Sequence, residues 1–176
     1  MDPSIPRDAK RASDAESTDR CKAHAGKYML FKLCNEEYGL EILKVSEIIG
    51  MQSITRVPRT PAFVRGVINL RGRVIPITDL RVKFGMDAST EAESCIIVVQ
   101  LRDVQTGLVV DRVSEVVALV ETDIVDPPDF ANGVQTDLLL GIGKAGGRVK
   151  LLLDIEKVLA APEVVQLAEL TSAHAA

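Results

Sequence analysis

The chain has 176 residues, 47% of them hydrophobic, with no Trp, only two Tyr and four Phe, and a formal net charge of −4. That length suits one ordinary domain or two small lobes on a shared aliphatic core, where each fully buried Val, Ile or Leu contributes about 1.5–3 kcal/mol. An acidic, aromatic-poor chain excludes a nucleic-acid stacking platform, and no stretch approaches the roughly 20 apolar residues of a membrane span.

In chain order, Met1 to about Gly26 is charged and lacks an apolar period, so residues 1–26 are expected to form a disordered leader without a signal peptide. Tyr28–Leu33 and Tyr38–Leu43 flank Asn35-Glu36-Glu37 as a hairpin, and Lys44–Ile48 is expected to be a single turn between strands. Pro58 and Pro61 punctuate the link into Val64–Leu70, which turns at Arg71-Gly72 into Arg73–Leu80. Ile96–Leu101 and Gly107–Val110 form the next hairpin around Arg102–Thr106, and Val113–Val120 continues it. Leu138–Ile142 and Arg148–Leu153 pair across Lys144–Gly147. Asp154 caps a short helix interrupted by Pro162; Glu163–Leu170 is expected to continue as a second, and Thr171–Ala176 to fray. Short strands at close spacing indicate small β-barrels with little helix.

The chain is also doubled. GLEILKVSEII from Gly39 returns as GLVVDRVSEVV from Gly107, and GVINLRGRVIPITDL from Gly66 returns as GIGKAGGRVKLLLDI from Gly141. Two matches in one order mark a repeated module of about 55–60 residues. Gly66 and Gly141 become equivalent, as do Gly72 and Gly147, and Asp79 and Asp154. Recurrence of Gly at fixed points implies close backbone approach or positive φ. Function is to be sought where the copies differ.

Catalytic constellations are missing. The two histidines, His24 and His174, lie in the expected leader and tail, so the folded region cannot build a Ser-His-Asp site or a usual zinc centre. Cys21, Cys34 and Cys95 lack metal-knuckle spacing and read as reduced thiols in the cytoplasm. GIGKAGG contains a Lys, yet it lies between two strands and opens no helix, which favours a hairpin over a phosphate loop. Asp79 and Asp154 read as caps; an acid–base pair is the alternative, requiring the copies to bring them together. No cofactor or metal is expected.

What remains is surface. Seven basic residues from Arg56 to Lys83 face the single acid Asp79, whereas six basic and fourteen acidic residues follow Ser89. This is either an uneven solvated surface or a means of steering unlike partners to separate lobes. Arg71 stands in a turn where the second copy has Gly146, so the module does not require it; it is either a solvated turn charge or, as its position in the basic stretch favours, a contact residue. Phe130, in a loop after Pro127-Pro128-Asp129, is either a gap filler or an exposed anchor.

EEYGLEILKVSEII, TPAFVRGVINLRGRVIPITDLRVKFG, the GLVVDRVSEVV block and GRVKLLLDIEKVL together resemble the CheW family of bacterial chemotaxis coupling proteins, over about Lys27 to Leu159. The resemblance implies an all-β fold with minor α: two intertwined five-stranded SH3-like barrels on a shared core over 27–160, then a short helix and tail over 161–176. It implies no catalysis. Such proteins bridge the cytoplasmic tips of chemoreceptors to the regulatory domain of the histidine kinase CheA, and a monomer of this kind joins CheA in rings. Carried over, the receptor site comprises Gly66, Arg71 and Ile96. The kinase side comprises Ile42, Val45, Ile48 and Phe130, with the partner of Val45 left open. A CheW-like scaffold in a motility or developmental kinase pathway is the alternative reading.

Overall fold

The computed structural model describes residues 24–86, 94–127 and 138–160; residues 1–23 of the expected leader, the loop with Phe130 and the expected second C-terminal helix fall outside them, and the last residue of that leader, Gly26, already belongs to a strand. The described residues hold eleven strands: β1 (Gly26–Leu33), β2 (Glu36–Glu41), β3 (Val45–Gly50), β4 (Val64–Leu70), β5 (Arg73–Asp79), β6 (Cys95–Leu101), β7 (Val104–Val110), β8 (Arg112–Leu119), β9 (Ile124–Val125), β10 (Leu139–Ala145) and β11 (Arg148–Leu153). Among the described residues helix is confined to single turns, including Leu80–Lys83 and Ile155–Val158. Asp79 and Asp154 accept hydrogen bonds from Arg81 N and Lys157 N, so the duplicated Asp caps the turn in both copies.

The strands form two sheets, ordered β8-β1-β2-β11-β10-β9 and β3-β6-β7-β5-β4. Under the repeat, β1 corresponds to β6, β2 to β7, β3 to β8, β4 to β10 and β5 to β11. The second order then maps onto the first strand for strand. The hairpin β1–β2 belongs in sequence to the first copy but sits in the sheet of the second, and β6–β7 does the reverse. Each insertion is sealed by a parallel pairing, β2 with β11 and β7 with β5, inside otherwise antiparallel sheets. These are two intertwined SH3-like barrels related by a pseudo-twofold.

The largest apolar cluster belongs to both barrels. It gathers Phe31, Leu33 and Leu40 with Ile97, Val99, Leu108, Val110, Leu153 and Val158. Phe31, Tyr38 and Phe84 stack in series at centroid distances of 5.9 and 5.8 Å. A smaller cluster fills each barrel, one around Ile68, Ile77 and Ile96, the other around Leu119, Ile124 and Leu152. Burial holds the Tyr28 phenol up at about 12, with Glu41 adding to the shift.

Two expectations are corrected and one strand is added. Lys44–Ile48 is not a turn: the turn is Ile42–Lys44, and Val45–Gly50 is an edge strand whose Val45, Ile48 and Ile49 pair with β6. The link Arg102–Thr106 shortens to a two-residue turn, because β7 already begins at Val104. The strand β9 was unforeseen; its equivalent in the first copy is one bridge, Thr55 to Val67. That bridge explains the repeated glycine. At Gly66 (φ 138°) a Cβ would lie 2.0 Å from the Thr55 carbonyl oxygen, and at Gly141 it would lie 2.9 Å from Ile124 Cγ2.

Candidate functional site: the Arg71 turn and the β3 edge

The turn between β4 and β5 has positive φ at both central residues, 54° at Arg71 and 85° at Gly72. Its counterpart between β10 and β11 has 58° and 74° at Gly146 and Gly147. Two-residue hairpins with both φ positive match strand twist, which explains why both copies use this turn. They also favour Gly at both positions. A non-glycine there costs about 1–2 kcal/mol, yet Arg stands at position 71.

The Arg71 side chain is 76% exposed and forms a two-pronged bond to Glu47, Nη1 to Oε1 at 3.1 Å and Nη2 to Oε2 at 2.8 Å. An exposed pair of this kind contributes about 0–1 kcal/mol, too little to offset the backbone conformation. Its effect is to hold the guanidinium at one place over β3. Beneath the turn, Gly72 N donates to Asn69 Oδ1 at 2.9 Å.

Strand β3 carries the apolar part of the site. Val45 pairs with Val99 and Ile48 with Ile97, so both share the sheet face of the central cluster, since opposed residues lie on one face. Ile42 packs against the same cluster. Ile42 and Val45 are half-buried and Ile48 is 47% exposed, forming a ridge that emerges from the shared core beside Glu47. Leu43, on the turn before β3, is 93% exposed.

Two of the predicted contact residues are not surface groups. Gly66 is buried under Thr55, and Ile96 is fully buried among Ile68, Ile75 and Ile77. Neither offers a partner a side chain; they shape the sheet that carries Arg71. Arg71 is the exposed member of the trio, and Phe130 lies outside the described residues.

The basic stretch is only partly a surface feature. Arg56, Arg59 and Arg73 are exposed, and Lys83 lies 4.2 Å over the Phe63 ring. Arg81, in contrast, is fully buried. It binds Asp79 through Nε and Nη2, both at 3.1 Å, and Asp111 through Nη1 at 2.7 Å. The Asp79 hydrogen bond raises the guanidinium pKa above its ordinary value despite burial. Arg65 Nε approaches Asp79 Oδ2, the oxygen that Arg81 Nη2 binds, at 3.3 Å. With both oxygens of Asp79 engaged, the acid–base pair with Asp154 has no free carboxylate in the first copy.

Sequence reasoning missed Glu47, because Glu115 occupies the equivalent position and a comparison of copies hides it. It also missed Leu43 and Arg81. For these a signal existed, since their counterparts are Asp111 and Glu156.

The family model of the CheW-like domain matches residues 27–163. Chemotaxis protein CheW of Klebsiella aerogenes is 42% identical over 148 residues, covering 84% of this chain and 89% of that protein. Chemotaxis protein CheW of Helicobacter pylori is 38% identical over 130 residues, covering 73% of this chain and 78% of that one. Among solved structures, the scaffolding protein TtCheW from Thermoanaerobacter tengcongensis superposes with a TM-score of 0.73 at 34% identity, over 79% of this chain and 95% of that one. With the doubled fold and its exchanged hairpins, these likenesses establish that the chain belongs to the CheW-like family.

Proposed function

We propose that the chain is a non-catalytic adaptor of bacterial chemotaxis, coupling the cytoplasmic tips of chemoreceptors to the regulatory domain of the CheA kinase. Two unlike surfaces on one framework support this reading. The charged turn at Arg71 and Glu47 suits the polar rim of a helical receptor tip lying across the sheet. The ridge of Ile42, Val45 and Ile48 offers strand-edge apolar contact to a barrel of the kinase. Each contact alone is expected to be micromolar, about −8 kcal/mol, and arrays gain strength by linking many of them. The adaptor works in the cytoplasm, where receptor tips and kinase meet.

The observation that carries the proposal is that Arg71 keeps a left-handed conformation and a fixed, exposed guanidinium where its twin is Gly. The test measures binding of a chemoreceptor tip fragment alongside thermal stability. Arg71→Glu is expected to weaken binding at least about tenfold, ~1.4 kcal/mol, with the melting temperature nearly unchanged. Arg71→Gly is expected to weaken binding too while melting no lower than wild type, since Gly146 occupies the same turn position. Unchanged binding in both variants, or loss of the fold in both, refutes the assignment.

A further inference from the structure

Among the described residues the chain passes between the two barrels twice, and the crossings are pseudo-symmetric. From β2 to β3 it crosses through Ile42–Lys44; from β7 to β8 it crosses at Asp111. The repeat makes Leu43 equivalent to Asp111, Glu156 to Arg81, Asp154 to Asp79 and Arg102 to Cys34. Backbone support is alike at the two: Asp79 N donates to Phe63 O at 2.7 Å, and Asp154 N donates to Leu138 O at 2.8 Å. The side chains are not alike.

At Asp111 three segments are bolted together through two buried charged side chains, Arg81 and Asp111. Arg81 joins the end of β5 to Asp111, whose second oxygen accepts from Cys34 N in the β1–β2 turn of the other barrel at 2.6 Å. Asp111 N also donates to Lys32 O of β1 at 3.0 Å. Moving these segments apart would leave buried charges without partners, which strongly opposes separation. At the other crossing the equivalent of Asp111 is an apolar side chain in solvent, and the equivalent of Arg81 is an acid. Glu156 reaches Lys44 at 3.1 Å, with side chains 56% and 33% exposed, a pairing that water readily replaces.

We propose that the barrels pivot about the Asp111 crossing, and that the Leu43 crossing is the compliant one. The pivot follows from replacing a buried ionic bolt by surface groups at one of two equivalent joints. Ile42 and Val45 bracket the compliant crossing and pack on the shared cluster, so a partner seated on them sets the angle between barrels.

Hydrogen exchange of the intact chain, read by mass spectrometry, tests this at equivalent edge strands. Peptides covering Val45–Gly50 are expected to exchange at least tenfold faster than those covering the equivalent residues 113–118. A double variant, L43D with E156R, transplants the bolt. It is expected to slow exchange in Val45–Gly50 at least tenfold and to leave residues 113–118 unchanged. Equal wild-type rates at the two strands overturn the pivot, as does a folded double variant that exchanges like wild type. Should the double variant not fold, the wild-type comparison alone decides.

Discussion

At the scale of single residues, the two kinds of glycine in the first copy separate steric from conformational demand. Gly66 is closed by the Thr55 carbonyl oxygen, whereas a Cβ on Gly72 meets nothing within 4 Å. Gly66→Ala is therefore expected to cost more than about 3 kcal/mol in denaturant unfolding, and Gly72→Ala only the backbone penalty of about 1–2 kcal/mol. Tyr28 gives a pH signature. Its hydroxyl donates to the His24 carbonyl, and burial, with Glu41, holds its pKa near 12 instead of 10. A raised phenol pKa means that stability is complete below pH 10 and is lost as pH rises towards 12, because the unfolded chain ionises first. Melting temperatures from pH 9 to 12 should fall less steeply in Tyr28→Phe than in wild type; equal slopes would assign the loss to other groups.

Between elements, the principal polar joint is the Arg81 cluster. Arg81→Gln leaves two buried carboxylates without their shared cation and is expected to cost about 3–5 kcal/mol. Arg65→Gln removes a guanidinium that is 35% exposed and is expected to cost under about 1 kcal/mol, although both contact the same Asp79. Chemical denaturation of the two variants measures the contrast, and similar losses would show that the cluster is not organised around Arg81. The strands themselves were largely legible, since β-branched runs and turn residues mark them. The edge strand β3 was not. Its ISOLATED signal, Lys44 to Ile48, is as short as a turn, and pairing with β6, a strand about fifty residues away, decides it.

For the whole molecule, exchange of the first hairpins means that neither barrel can be completed by one copy alone. The shared cluster takes Leu40 and Phe31 from the first copy and Leu108 and Ile97 from the second. Leu108→Ala is therefore expected to cost about 2–5 kcal/mol and to keep one unfolding transition, coincident by circular dichroism and by tyrosine fluorescence. Two separate transitions would mean that the barrels fold independently. The Arg71 turn and the β3 ridge lie on one sheet, which holds them in fixed relation, as an adaptor requires, while the proposed pivot lets the other barrel turn against that sheet.

The residues in order were enough to determine the doubling, the aliphatic barrels, the caps at Asp79 and Asp154 and the singular status of Arg71, because each is a local pattern or a comparison of two stretches of chain. Which hairpin joins which sheet, the burial of Gly66 and Ile96, the grip of Glu47 on Arg71 and the Arg81 cluster came only with the tertiary structure. Those depend on segments brought together across the pseudo-twofold. Distance along the chain carries no information about such meetings, and in a duplicated sequence either copy could have supplied each partner.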